Sequence, residues 1–237
     1  MKQLGIRWQD GIGKEFVDSL TLAGRSGNGF SVLESPFGAT PQGVLDLRGL
    51  RLHEKAELRR VNFAAADFGA ASLKGIWLER CVFNDSVFDG ASFQKVAEHG
   101  NMFTNCSFRK VSFREAAIGY KGSRFDHCTF EGVDFTRTIF VRPEFDDCAF
   151  YRCKLDGSDL NASSFDRCRF VGVLKEIWFR GGFAYPNDIK RYGQSRPNRM
   201  SEVSFENAAL HDVTFSNQCD LSSVHIPADD QYALVGN

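Results

Sequence analysis

The sequence has no run of apolar residues approaching the roughly eighteen that a membrane-spanning helix needs. Residues 1–10 contain no apolar stretch of the kind found in a secretory signal peptide. The formal charge of −1 creates no field of one sign that would attract a nucleic acid or an anionic membrane. These absences predict a cytoplasmic protein that makes no direct contact with nucleic acid or with a membrane.

Motifs for catalysis and for metal binding are also missing. The seven cysteines include no C-x-x-C pair, and the five histidines do not follow the spacing of zinc ligands. His127 alone has a carboxylate-rich setting, beside Asp126 and Asp147, which should raise its pKa. Neither a phosphate-binding G-x-x-x-x-G-K-[ST] loop nor a G-x-S-x-G nucleophile motif occurs. The sequence therefore predicts no catalytic residue, no metal and no cofactor, so we expect that the protein is not an enzyme.

Phenylalanine, in contrast, is abundant, and most of its 23 copies recur at a fixed interval. In one uninterrupted stretch, every fifth residue is Phe or Leu: Phe125, Phe130, Phe135, Phe140, Phe145, Phe150, Leu155, Leu160, Phe165 and Phe170. Two residues before each of them stands a compact or β-branched residue. A period of five fits neither a helix nor an ordinary strand. Fixed-period repetition of this kind indicates a solenoid.

A second period of twenty residues is superimposed on the first. The pattern Phe-Asp-x-Cys recurs at 125–128, 145–148 and 165–168, so four pentapeptides form one turn with four faces. The pattern resembles the pentapeptide-repeat family over roughly 44–227. That resemblance implies an all-β fold, a right-handed quadrilateral parallel β-helix, here of about eight coils.

The residues before the repeats are predicted to cap the solenoid. Segment 1–43 does not repeat, and it contains two predicted short strands, 20–22 and 30–33, joined by a glycine-rich turn. An open solenoid end exposes an unpaired strand edge, which needs a cover. We therefore predict an N-terminal cap over 1–43, the β-helix over 44–227 and a C-terminal tail over 228–237.

Five cysteines precede a repeat Phe by two residues: Cys81, Cys106, Cys128, Cys148 and Cys168. They are predicted to form one ladder inside the solenoid, with neighbours about 4.8 Å apart. One interpretation is a redox or metal-binding row. The other is packing, since cysteine is small and polarisable enough for a tight inner corner. Val61 and Val203 take the same position in flanking coils, which favours packing.

The spacing of five is broken after Leu52, Phe93, Ile118, Phe179 and Phe215. Loops are predicted at 94–100, 119–123 and 180–199, and all five insertions are assigned to the corner between the fourth and first faces. Insertions on one side often mark the binding side of a repeat protein. The alternative is that this corner is simply the most permissive sterically.

The longest insertion contains the candidate partner-binding residues Tyr185, Lys190, Arg191 and Tyr192. Aromatic residues and arginine are enriched where proteins contact one another. The alternative is that these aromatic residues fold back onto the solenoid and only hold the loop in place.

A second candidate contact is an acidic strip on the first face. It comprises Asp126, Glu144, Asp146, Asp147 and Asp166, with Arg124 and Arg167 among them. The strip is either part of a binding surface or an ordinary solvated face.

Two functions remain open. One is a scaffold or immunity factor that binds another protein through its looped edge. The other, implied by the resemblance, is target protection of DNA gyrase or topoisomerase IV by a DNA mimic, which gives antibiotic or self-resistance. The near-neutral charge and the basic loop differ from a phosphate mimic. The tail is short for the helical dimer module of that group, and the oligomeric state is not set by the sequence.

Overall fold

The computed structural model describes residues 2–228, so the predicted tail lies outside the described residues except for residue 228. Over that range the chain is a parallel β-solenoid of about seven turns, preceded by N-terminal helices. The predicted number of coils was about eight.

The helices and strands are short and follow one another in a regular order. In chain order they are α1 (Lys2–Ile6), α2 (Gly11–Ser26), β1 (Phe30–Val32), β2 (Leu45–Asp46), β3 (Glu57–Arg59), β4 (Val61–Ala64), β5 (Ala66–Asp67), β6 (Trp77–Glu79), β7 (Val82–Asn84), β8 (Ala97–His99), β9 (Met102–Thr104), β10 (Ser107–Arg109), β11 (Ala117–Tyr120), β12 (Arg124–Asp126), β13 (Thr129–Glu131), β14 (Ile139–Phe140), β15 (Glu144–Asp146), β16 (Ala149–Tyr151), β17 (Asp159–Leu160), β18 (Ser164–Asp166), β19 (Arg169–Lys175), β20 (Trp178–Arg180), α3 (Asp188–Tyr192), β21 (Ser204–His211) and β22 (Thr214–Ser216).

Strands from successive coils form one parallel sheet on each face. The first face is the seven-stranded sheet β1-β4-β7-β9-β12-β15-β18, and the second is built around β10-β13-β16-β19-β21. On the third face, successive coils are joined by single parallel bridges such as Ser92–Ser112. The fourth face comprises β3-β6-β8-β11-β14 and continues with β17-β20-β22. This arrangement confirms the predicted four-faced solenoid.

Phenylalanine rings fill the interior in columns. On the first and second faces, rings of neighbouring coils stack with centroids 4.7–5.1 Å apart and planes within 15° of parallel. Rings of adjacent faces meet edge to face, as Phe125 and Phe130 do at 5.6 Å. Such pairs contribute roughly 0.5–1.5 kcal/mol each beyond the burial of their area. The stacking explains why phenylalanine, rather than leucine alone, dominates the repeat.

The five cysteines of the predicted ladder occupy two columns, so the prediction of a single ladder was wrong. Cys106, Cys128, Cys148 and Cys168 form one column before the second face, and each thiol donates to a carbonyl oxygen of the previous coil at 3.4–3.5 Å. Cys81 precedes the first face, where its backbone N–H donates to the side chain of Asn101. Val61 belongs to the Cys81 column and Val203 to the other.

The loop predicted at 94–100 does not exist. Strand β8 occupies it as a regular fourth-face segment, and the residue at its inward position is Glu98, which is 2% exposed. The prediction failed because a core position is expected to be apolar, so the pentapeptide centred on Glu98 was not counted as a repeat. Leaving it out shifted the assignment of every earlier pentapeptide to its face by one. The insertion after Leu52 therefore lies at the corner between the third and fourth faces, and three of the five remain at the corner between the fourth and first faces.

The N-terminal segment contains a helix where a strand was predicted at 20–22. Gly13, Val17, Leu20 and Gly24 recur at helical spacing and form the buried face of α2. Gly24 packs so closely against β3 that a Cβ there would lie 2.7 Å from a methyl carbon of Leu58. The second predicted strand is present as β1, which extends the first-face sheet. None of the described helices is long and apolar enough to cross a bilayer.

Replacing Cys148 with Ala should lower the free energy of unfolding by about 1 kcal/mol, because packing and the hydrogen bond to the Phe125 carbonyl are lost. Replacing Phe145 with Asp should be far more destabilising, since it leaves a charge unpaired in the core. Urea denaturation followed by circular dichroism measures both. Loss of partner binding by Cys148→Ala at undiminished stability would contradict the packing role.

Candidate functional site

The insertions gather at one edge of the solenoid, which we call the looped corner. It is the edge between the fourth and first faces, with the inserted segments 119–123, 180–199 and 216–220. Because a solenoid coil buries its apolar residues without help from an insertion, residues added here extend outward and are available for contacts.

The long loop is fixed to this corner at several points. The Phe183 side chain is 7% exposed and packs in a small apolar cluster with Val141 and Ala162. The Ala184 N–H donates to the side-chain oxygen of Asn161 at 2.9 Å. Arg142 donates to the carbonyl oxygen of Gln194 at 2.8 Å. The loop is therefore held against the solenoid at both of its ends.

The four predicted contact residues of the loop divide into two kinds. Tyr192 is half-buried, stacks on Phe183 at 5.9 Å and meets Tyr120 edge to face at 5.3 Å. Tyr185 is 72% exposed, and Lys190 and Arg191 are exposed on the short helix α3 that follows it. The structure thus places one tyrosine as an anchor, with the Arg191 guanidinium 5.0 Å from its ring centroid, and leaves Tyr185 and Lys190 on the outer surface of the loop.

A row of aromatic rings continues from Tyr192 along the outside of the solenoid. The row consists of Trp77, His99, Tyr120 and Tyr192. The rings of Trp77 and His99 are 3.8 Å apart at their centroids, and those of His99 and Tyr120 are 5.1 Å apart. Sequence reasoning missed this aromatic row, because the misassigned loop at 94–100 removed His99 from the coil register.

Beside the aromatic row runs a column of cations, which we call the basic corner: Arg60, Arg80, Lys121 and Arg142. Each of these residues has a positive φ between 52° and 63° and forms the turn that leads from the fourth face to the first. Gly100 takes the same position in the coil between Arg80 and Lys121. The turn positions 60, 80, 100, 121 and 142 recur every 20 or 21 residues, and this spacing could have revealed the column, had the register been read correctly.

The acidic strip on the first face is neutralised by arginines. Asp146 forms salt bridges with Arg124 at 3.0 Å and with Arg196 at 3.9 Å, and it also pairs with Arg167. Asp166 pairs with Arg196 at 2.8 Å and with Arg167 at 3.1 Å. Since Arg196 comes from the long loop, the strip also holds the end of that loop in place.

His127 lies at the edge of the strip between two carboxylates. Its Nδ1 is 2.7 Å from Asp126 and its Nε2 is 3.2 Å from Asp147. The hydrogen bond to Asp126 raises the pKa of His127, as expected from the sequence.

A buried carboxylate lies beneath the looped corner, and the sequence analysis did not anticipate it. Glu98 Oε1 accepts from the Asn101 side chain at 2.7 Å, and Oε2 accepts from the Gly119 N–H at 2.7 Å. Burial raises the pKa of Glu98 to about 7, although hydrogen bonds from Ser123, Gly119 and Asn101 oppose the rise.

The bond to Gly119 ties Glu98 to the inserted segment. Gly119 begins the 119–123 insertion with a φ of +91°, and a side chain there would collide with Pro143. The next residue is Tyr120, which contacts Tyr192 of the long loop. Glu98 therefore helps to set the backbone on which the aromatic row depends.

Comparisons with known proteins agree with this architecture. A model of pentapeptide repeats matches the chain in eight copies, with residues 66–97 as the matched segment. No curated protein matches.

Two solved structures are similar at low identity. A structure of QnrB1, described as a plasmid-mediated fluoroquinolone resistance protein, has 15% identity and a TM-score of 0.41, covering 73% of this chain and 89% of that one. HetL from the cyanobacterium Nostoc sp. strain PCC 7120, a pentapeptide-repeat protein involved in heterocyst differentiation regulation, has 10% identity and a TM-score of 0.43, covering 78% and 84%. Neither likeness indicates what this chain binds.

Glu98 should make stability depend on pH. Between its ordinary pKa of 4.5 and its folded value of about 7, the folded chain holds a proton that the unfolded chain has lost. The contribution of Glu98 to the free energy of unfolding is therefore highest below pH 4.5 and falls as the pH rises through 7, by roughly 3 kcal/mol in all. Comparing urea denaturation of wild type and Glu98→Gln from pH 5 to pH 8 isolates this contribution.

The expected result is a difference between the two proteins that shifts in favour of the Gln variant from pH 5 to about pH 7 and then levels off. Glu131→Gln, at an exposed second-face position, is the control and should follow the wild type. A wild-type and Glu98→Gln pair that differ by a constant amount at every pH would show that Glu98 does not titrate in this range.

Proposed function

The chain belongs to the pentapeptide-repeat family, and from this premise we propose that it is a non-enzymatic protein that binds another protein through its looped corner. A scaffold or an immunity factor would work in this way. The seven cysteines are free thiols, which suits a reducing compartment, and we propose the cytoplasm as its location.

One observation carries this proposal: the long loop combines buried anchors with an exposed contact surface. Phe183 and Tyr192 fix the loop, while Tyr185, Lys190 and Arg191 extend from it into solvent. A surface that is already ordered loses less conformational entropy on binding. Tyrosine and arginine are also the residues most often found at the energetic centre of protein interfaces.

The cavity beside β1 gives no support to an enzymatic role. It has a volume of about 530 Å³, and Glu34 is its single ionisable lining residue. General acid–base or nucleophilic catalysis needs at least a pair of groups within hydrogen-bonding reach. This cavity does not provide such a pair.

Target protection of DNA gyrase or topoisomerase IV is the second candidate, and the acidic strip is the surface that it would use. A phosphate mimic needs carboxylates that are free to meet cations on the enzyme. Arg124, Arg167 and Arg196 already pair with the strip. We therefore favour a loop-mediated contact over this function and over the resistance that it would confer.

Photocrosslinking tests the proposed contact surface. A benzoylphenylalanine introduced at Tyr185 should give a discrete adduct with the partner in intact cells, because this side chain is exposed within the proposed surface. Electrophoresis and mass spectrometry identify the adduct. The same photoreactive residue at Tyr151, on the second face, is the matched control and should give none.

Replacing 185–191 with a Gly-Ser-Gly link should change Tm little, but the resulting variant should no longer compete with the photoreactive protein for the partner. Loop-closure entropy varies slowly with length, and Phe183 with its anchoring contacts is retained. The link variant, coexpressed as competitor, would therefore leave the adduct intact, whereas coexpressed wild type without the photoreactive residue would suppress it. Equal competition by both proteins would show that the loop is not the contact surface.

A further inference from the structure

The looped corner carries a local positive charge that the net charge of the whole chain does not reveal. The formal charge of the protein is −1. Yet the four residues of the basic corner are followed, in the long loop, by Lys190 and Arg191. Six cations thus lie along one edge, while the acids of the first face are paired with other arginines.

Most of these cations have no acidic partner. Within residues 2–228, Lys121 pairs with Glu79 at 2.9 Å, whereas the other five have no carboxylate within 4.0 Å. Arg60, Arg80, Lys190 and Arg191 are exposed, and Arg142 is partly exposed. Exposed, unpaired charges of one sign in a row create a local electrostatic potential, and a partner of opposite charge can bind there and neutralise them.

The aromatic row decides which kind of anion fits. Single-stranded nucleic acids bind by stacking their bases on exposed ring faces. Here the rings of Trp77, His99 and Tyr120 stack on one another, with centroid separations of 3.8 and 5.1 Å. The inner ring faces are therefore occupied by neighbouring rings. Carboxylates need no ring face, so the arrangement favours an acidic polypeptide.

We propose that the looped corner binds an extended acidic segment of a partner protein, with its carboxylates on the basic corner and an adjoining apolar residue on Tyr185 and Ile189. This inference rests on the proposed function and names the chemistry of the partner. Ile189 is 43% exposed and lies four residues after Tyr185, which is 72% exposed, so the loop offers two apolar side chains beside the cationic column.

The dimensions of the corner set the length of the segment. Arg60 and Arg142 are four coils apart, which is roughly 19 Å at the spacing of parallel strands. An extended chain advances about 3.3 Å per residue, so about six residues cover this distance. The segment that fits best is therefore about six residues long, rich in Asp or Glu, and followed by one or two apolar residues.

The test uses a fluorescein-labelled peptide of six Glu followed by Leu-Phe, measured by fluorescence anisotropy with the full chain. In Arg60→Glu/Arg80→Glu its affinity should fall by about tenfold or more, because attraction is converted to repulsion at two turns. The matched control is Lys110→Glu/Arg152→Glu. It makes the same charge change at turn residues of equal backbone conformation, on the diagonally opposite corner. Its affinity should change by less than about threefold.

Two outcomes would overturn the inference. Equal losses in the two variants would mean that the peptide senses only overall charge. Tighter binding of a twelve-residue oligothymidylate, reduced by the same corner variant, would assign the surface to nucleic acid. Circular dichroism and Tm confirm that both variants fold.

The photocrosslink at Tyr185 separates failure of this inference from failure of the proposed function. An adduct that forms equally in wild type and in Arg60→Glu/Arg80→Glu would retain the protein-binding role and reject the acidic segment. Absence of any adduct at Tyr185, together with selective peptide binding at the basic corner, would retain the charge complementarity and reject the loop as the contact with the cellular partner.

Discussion

Ring stacking between successive coils is the interaction on which the rest of this structure depends. A phenylalanine that lies flat on its counterpart in the next coil fixes the spacing and the register of both coils. Because the register is fixed, every turn residue lies above the corresponding residue of the previous coil. This fixed register is sufficient to align like residues in columns, with thiols inside the solenoid and cations and aromatic rings outside.

The sequence was sufficient to predict the fold, because one signal, a large apolar residue at every fifth position, is repeated many times. It failed where a single residue broke that signal. Glu98 occupies a core position, so its pentapeptide was interpreted as a loop, Cys81 was placed in the wrong column, and the basic corner was not seen. The helix α2 was missed because a short Leu-Thr-Leu motif was given more weight than the helical spacing of Val17 and Leu20.

The candidate site was only partly predictable, for a different reason. Composition identified the loop at 180–199 as rich in aromatic and cationic residues, but not which of them are anchors. Burial of Phe183 depends on Val141 and Ala162, which are contributed by earlier coils. Likewise, Arg196 is neutralised by Asp166 across a gap of 30 residues. Contacts of this range follow from the register of the coils, which only the folded chain defines.

Glu98 also gives the rod a mechanical weak point. A solenoid is nearly one-dimensional, and each coil is held only by its two neighbours. Tension along the axis is therefore borne by every coil interface in series. The interface next to a buried carboxylate is the one that gains most from access to water, since hydration relieves the cost of a charge in an apolar core. A stretched molecule would part there first, leaving the stacked rings of the later coils, such as Phe125 on Phe145 and Phe150 on Phe170, intact on one side of the break.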